Sequence, residues 1–208
     1  MCSIHNSFKD GHNCVACNLN VNSELIIKFL LQYKEFGDVN LTFTNFILLL
    51  YLLVERYNEY FNLLTLQESY RLRYFQVFQE IKWWANFLKH PKAFMLVHHP
   101  VFVYNTMKYN SEQDNYELIE EAKKNGSIID TEFVKEYYSG DKNNPKLYQK
   151  LTKKENFLVI YPDPISLITK FVDAQKKFVA TIAENEIIRE ILESKATIKT
   201  YFEGENEE

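Results

Sequence analysis

Turn-forming residues are scarce: the 208-residue chain has only 5 glycines and 5 prolines. An all-β sandwich or barrel needs many tight turns, so this scarcity argues against one and favours long helices. Cysteine is scarcer still, at 3, and all of it falls within the first seventeen residues. An odd count so confined does not make a disulfide framework. There is no excess of basic charge either. The formal net charge is −4, which speaks against a surface coated for nucleic acid, although it allows a local basic patch. No glycine-rich phosphate loop, Gly-x-Ser-x-Gly or His-Glu-x-x-His occurs. The common nucleotide-hydrolase, serine-hydrolase and zincin classes therefore lack their signatures, and thiol enzymes lack a cysteine beyond the N-terminal cluster. The first twenty residues carry His, Asp and Lys where a secretory signal has its apolar centre. The longest apolar run, Phe46–Val54, is short against the roughly 20 residues that cross a bilayer. The expectation is a cytoplasmic protein with no membrane contact, this run being the all-round-buried middle of a helix.

Apolar residues make up 46% of the chain and charged residues 25%, an ordinary globular balance that excludes disordered and collagen-like classes. The length fits one domain with a small appendage. The cysteines define the appendage. Cys2-x2-His5, eight intervening residues, then Cys14-x2-Cys17 places two ligand pairs on two tight turns, with Gly11 between them. A two-residue gap lets both members of a pair reach one tetrahedral ion, so Cys2, His5, Cys14 and Cys17 form a Cys3His set for Zn2+, with His12 as an alternate to His5. Four protein ligands leave no open position. The zinc is therefore structural, and residues 1–22 form a zinc knuckle pinned to the first helix.

Residues 23–202 read as one mainly α-helical domain, a helical bundle with a short extended or β element. Ser23 is the expected N-cap of a helix through Glu24–Tyr33 that ends near Gly37, and Thr42 or Thr44 caps a second helix reaching about Leu64. A third helix is expected from Leu66–Ser69 to His90, stopped by Pro91. Ala93–Tyr104 is β-leaning and interrupted by Pro100, so it reads as two short strands or an extended crossing segment. Short helices follow at Asp114–Lys124 and Asp130–Tyr138, with a turn over residues 139–145. Phe157–Tyr161 reads as a buried strand. Asp163-Pro164 supplies a cap and first-turn proline for a last helix running to about Lys195. Residues 203–208 form an acidic tail expected to be disordered.

Outside the knuckle, the histidines His90, His98 and His99 cluster beside Lys82, Asn86, Lys89 and Lys92. Adjacent His98 and His99 on an extended segment point to opposite faces, so at most one of them faces a given site. The string Ile81-Lys-Trp-Trp-Ala-Asn-Phe-Leu-Lys-His-Pro91 resembles the second-helix signature of the HEPN superfamily. The resemblance implies a compact helical bundle of the kind found in prokaryotic toxin–antitoxin and antiphage systems. Many such proteins are dimeric RNases in which an Arg and a later His meet across the dimer cleft. Asn86 and His90 match that pattern, and Ala85 stands in the place of its Arg. The resemblance makes His90, Asn86 and Lys82 the candidate catalytic residues. Metal-independent RNA cleavage needs a base near the 2′-hydroxyl and a cation on the crowded phosphate. His90 suits the first task, but a lysine does not reproduce the bidentate fork of an arginine. The plainer role for His90 is to cap the end of its helix.

Three functions follow. The favoured one is a zinc-stabilised helical adaptor that works by binding a protein partner in an antiphage or toxin–antitoxin system. The alternatives are a HEPN-type endoribonuclease, which requires a homodimer, and a non-catalytic module that holds single-stranded RNA by stacking and charge.

Overall fold

The computed structural model describes residues 15–32, 37–89, 100–105, 113–125, 127–138, 157–183, 185–188 and 190. Among them the elements run α1 (Val15–Gln32), α2 (Val39–Leu63), α3 (Glu68–Tyr74), α4 (Gln76–Lys89), β1 (Pro100–Tyr104), α5 (Gln113–Asn125), β2 (Ile128–Ile129), α6 (Thr131–Tyr138), β3 (Phe157–Tyr161) and α7 (Pro164–Phe178). The chain is mainly helical, as its composition requires. The extended element is nonetheless a parallel three-stranded sheet, in the order β1–β3–β2. β3 is central, with Val103 of β1 level with Ile160 and Ile129 of β2 level with Val159.

All five residues of β3 are buried, because both faces of the sheet are covered. The period of two divides them. Phe157, Val159 and Tyr161 join the main core with Ile129, whereas Leu158 and Ile160 meet Val103 and Ile119 of α5 in a smaller second core. The main core is built on α2, α4 and α7 and is largely aromatic. The Phe43 ring stacks 4.1 Å from that of Tyr161, and Trp84 meets both edge-on at 5.5 and 5.3 Å. Farther along α2, Tyr57 stacks on Phe78 at 5.0 Å and takes the edge of Phe178 at 4.7 Å. Each such pair adds about 0.5–1.5 kcal/mol beyond the area it buries. The polar tips stay satisfied: Trp84 Nε1 donates to Thr131 Oγ1 at 3.2 Å and the Tyr161 hydroxyl to Asn40 Oδ1 at 2.5 Å. Burial raises the Tyr161 phenol far above its ordinary range and Tyr57 to about 12, so both remain neutral donors.

Several expected boundaries move, for identifiable reasons. α1 begins at Val15, eight residues before the expected cap Ser23. The cap of α2 is Asp38, whose carboxylate accepts from Leu41 N–H at 2.7 Å. Thr42 lies inside the helix, with its hydroxyl bonded back to Asp38 O. The single helix expected from Leu66 to His90 is two helices, parted at Phe75 (φ −130°, ψ 37°). The Phe75 ring is buried 4.8 Å from Phe61 and 5.5 Å from Phe78, so packing overrides helical continuity there. The cap Asp163 and first-turn Pro164 of α7 stand as read, but the helix widens into a π-helical stretch at Val179–Ala183 rather than continuing regularly. The strand Phe157–Tyr161 and the helices near 114–124 and 130–138 also stand.

The largest correction concerns the apolar run in α2. Phe46, Ile47, Leu50, Leu53 and Val54 are buried in the core, but Leu52 is 51% exposed, and Leu48 and Leu49 are only half-buried. The run is therefore not buried all round. Among the described residues α2 is the one helix long and apolar enough, by length and composition, to cross a bilayer, yet one side of it carries the centre of the core.

Candidate functional site

Of the expected catalytic residues, Lys82 and Asn86 lie on α4, four residues apart and therefore on one face. His90, His98 and His99 lie outside the described residues. Lys89 extends the same face. Its Nζ sits 3.7 Å above the ring of Tyr51, on α2. Partial burial pulls the Lys89 ammonium below its ordinary range, with Lys82 acting in the same direction and Glu55 opposing. Burial pushes the Tyr51 phenol up, aided by the charge of Glu55 and a hydrogen bond to it. Tyr51 is thus a protonated donor to a carboxylate and cannot serve as a base near neutral pH. The cluster Tyr51–Glu55–Lys82–Asn86–Lys89 joins α2 to α4 on an open helix surface. Sequence reading missed the α2 half of it, although Tyr51 and Glu55, one turn apart in α2, carry the signal.

Ala85 occupies the place where the resemblance calls for Arg, and it is 0% exposed. The face of α4 bearing Phe78, Ile81, Trp84 and Ala85 is the core face. An arginine at residue 85 would therefore point into packed aromatic rings and not into a cleft between protomers.

A second charged group lies where α4, α6 and α7 meet. Glu80 is 14% exposed and faces Lys170 of α7 at 3.8 Å. Its burial raises the carboxyl above the ordinary range, Lys170 draws it down, and Glu132 of α6 pushes it up. The pair links α4 to α7, and Glu132 of α6 is a like charge that works against it.

A concave apolar feature of the described residues lies elsewhere. A groove of 310 Å³ runs between α1 and α2, lined by Phe29, Asn45, Leu48, Leu49 and Leu52. Phe29 is held by stacking on Phe46 at 5.9 Å, which fixes the α1 wall. Leu41, Asn45, Leu48 and Leu52 follow one another at spacings of four, three and four, so they form a single outward stripe along α2. Arg56 and Glu59, paired at 3.3 Å, lie just beyond Leu52 toward the C-terminal end of α2. Sequence reading missed this stripe by assigning the entire run to the core. The recurrence of Leu41, Leu48 and Leu52 around one Asn was the available signal.

Of the expected zinc ligands, Cys2, His5, His12 and Cys14 lie outside the described residues. Cys17 lies on α1. Among the described residues no group of three or more His, Cys, Asp or Glu side chains could hold a metal ion. No family model, curated protein or solved structure matches the chain.

Proposed function

We propose that the protein is a non-enzymatic helical interaction subunit that binds another protein through the open α1–α2 face. The observation that carries this reading is the groove lined by Phe29, Leu48, Leu49 and Leu52, an apolar surface that the other described residues leave uncovered on the helix that organises the core. Contiguous exposed apolar surface beside a rigid element marks a contact site. The Lys82–Asn86–Lys89 surface, by contrast, is open and polar, and the buried Ala85 removes the cationic partner that RNA cleavage calls for. The HEPN resemblance suggests an antiphage or toxin–antitoxin setting for such a subunit. The test is affinity capture of the tagged full chain, wild type against Leu52→Glu. A partner recovered with the wild type and lost with the folded variant supports the reading, and identical capture profiles refute it. Specific degradation of RNA by the purified protein would instead establish the endoribonuclease alternative. Retention of uncleaved single strands, lost in Lys82→Gln with Lys89→Gln, would establish the RNA-holding one.

We further propose that Cys2, His5 (or His12), Cys14 and Cys17 bind one structural zinc. The reading rests on the two two-residue gaps, Cys2-x2-His5 and Cys14-x2-Cys17, which let each pair reach one tetrahedral ion. About one zinc per chain is expected by elemental analysis. A metal-free preparation with an unchanged melting temperature would remove the zinc from the account.

A further inference from the structure

We infer that the outward stripe of α2 is a self-association seam, whose occupant is the same stripe of a second copy of this chain. The inference rests on the interaction reading above and gives it a first partner. Leu41, Asn45, Leu48 and Leu52 recur at the four–three spacing of a two-stranded helix seam, with leucine at three positions and one asparagine inside. Asn45 is exposed, and its side chain makes no hydrogen bond to another described residue. A single asparagine in such a seam is tolerated when it meets its own copy across a two-fold axis, and it then fixes a parallel, in-register pairing. Under any other apolar partner its amide would be buried without a mate.

Charge and area agree on the kind of association. The four seam positions carry no charge, and a net charge of −4 on 208 residues sets up little repulsion between copies. Beyond Leu52 the outward side of α2 becomes charged, with Arg56 and Glu59 paired at 3.3 Å, so the run of leucines and its contact end there. From Leu41 to Leu52 the seam is about 17 Å long, and at a helix-pair width of about 20 Å it covers roughly 350 Å² per copy. The total of about 700 Å² lies well under the ~1,600 Å² of a standard stable interface, so the dimer is reversible and concentration-dependent. α2 is already held by the core, so pairing needs no new helix to form, and a seam under two heptads suffices.

The experiment is analytical ultracentrifugation of the full chain from about 1 to 500 µM, with helical circular dichroism as the fold control. The expected result is a monomer–dimer equilibrium that Leu52→Glu weakens at least about 100-fold, since the two-fold places two carboxylates together in the seam. Asn45→Asp should weaken it in the same way. Asn45→Leu should tighten it, or drive it to higher oligomers, because the register device is gone. Three results overturn the inference: a monomer at the highest concentration, a dimer indifferent to Leu52→Glu and Asn45→Asp, or Leu52-dependent flotation with phosphatidylcholine vesicles in place of dimerisation. A monomer whose capture of another protein still depends on Leu52 overturns the self-pairing alone and leaves the wider interaction reading standing.

Discussion

Ala85→Arg decides between the two accounts of α4. The substitution completes the Arg-Asn…His pattern of the HEPN resemblance, so a degenerate nuclease should tolerate it and regain activity. The structure requires the opposite. Ala85 is fully buried on the face that carries Ile81 and Trp84, and Trp84 is itself wedged between Phe43, Phe87 and Tyr161. Forcing a long side chain into that packing costs about 1–3 kcal/mol in displaced neighbours. Burying an unpaired guanidinium adds several kcal/mol more, roughly. Together they reach about 5 kcal/mol or above, on the scale of the entire stability of a domain. The variant should be largely unfolded or insoluble at 37 °C, losing its cooperative urea transition and its aromatic near-ultraviolet signal. Asn86→Arg is the control. It puts the same charge one residue along, on the half-buried polar face, and should stay within about 1 kcal/mol of wild type. Should Ala85→Arg fold with near wild-type stability, residue 85 reaches solvent. The core face of α4 is then misassigned, and the nuclease reading regains its missing cation.

Three further perturbations probe other parts of the molecule. Leu50→Ala should cost about 2–5 kcal/mol by urea denaturation, while Leu52→Ala, half in solvent, should stay within about 0.5 kcal/mol; equal costs would mean that α2 has no outer face. Glu80 holds its proton more tightly in the folded than in the unfolded chain, so its contribution is most favourable below the ordinary carboxylate range and falls as pH rises through that range toward the raised value. Glu80→Gln should therefore melt above wild type at pH 7, with the gain shrinking in acid, because Lys170, 3.8 Å away and more than half in solvent, offsets only part of the cost of burying the carboxylate; a variant that melts lower at pH 7 would reverse the sign. His90→Ala should leave RNA as intact as the wild type does and cost no more than about 0.5–2 kcal/mol; specific cleavage abolished by it at unchanged stability would make the chain an enzyme.

The sequence disclosed several elements that a local device dictates, although it missed the cap Asp38 of α2. Asp163-Pro164 caps and opens α7, Asp130 accepts from Phe133 N–H at the start of α6, and Phe157–Tyr161 is too apolar and β-branched for anything but a covered strand. Long-range competition hid the rest. Nothing local says that Phe75 leaves the helix to reach Phe61, or that Ile128-Ile129 pairs with β3 across the intervening α6. The candidate site failed to show for a similar reason. An apolar run of this length fits a fully buried helix and a half-covered one, and the recurrence of Leu41, Leu48 and Leu52 around Asn45 marks an outer face only weakly until the tertiary neighbours of Leu52 are known.

The same neighbours favour α2 over α4 for the proposed binding surface. Both helices turn one face to the aromatic core, so each must dispose of the other. α4 does so conventionally, with Lys82, Asn86 and Lys89 toward water and the Lys89 ammonium laid over Tyr51, where the ring supports it at about 0.5–1 kcal/mol. That side is already satisfied as it stands. α2 places Leu41, Leu48 and Leu52 there instead, and each remains partly in water at a cost of about 25 cal/mol for every Å² of apolar surface. A polar residue at Leu41 or Leu52 would remove that cost without touching the core, since only Leu48 of the three packs against it. Only a partner that covers the stripe turns the cost into a gain. The α2 face therefore needs something beyond the other described residues to account for it, and the α4 face does not.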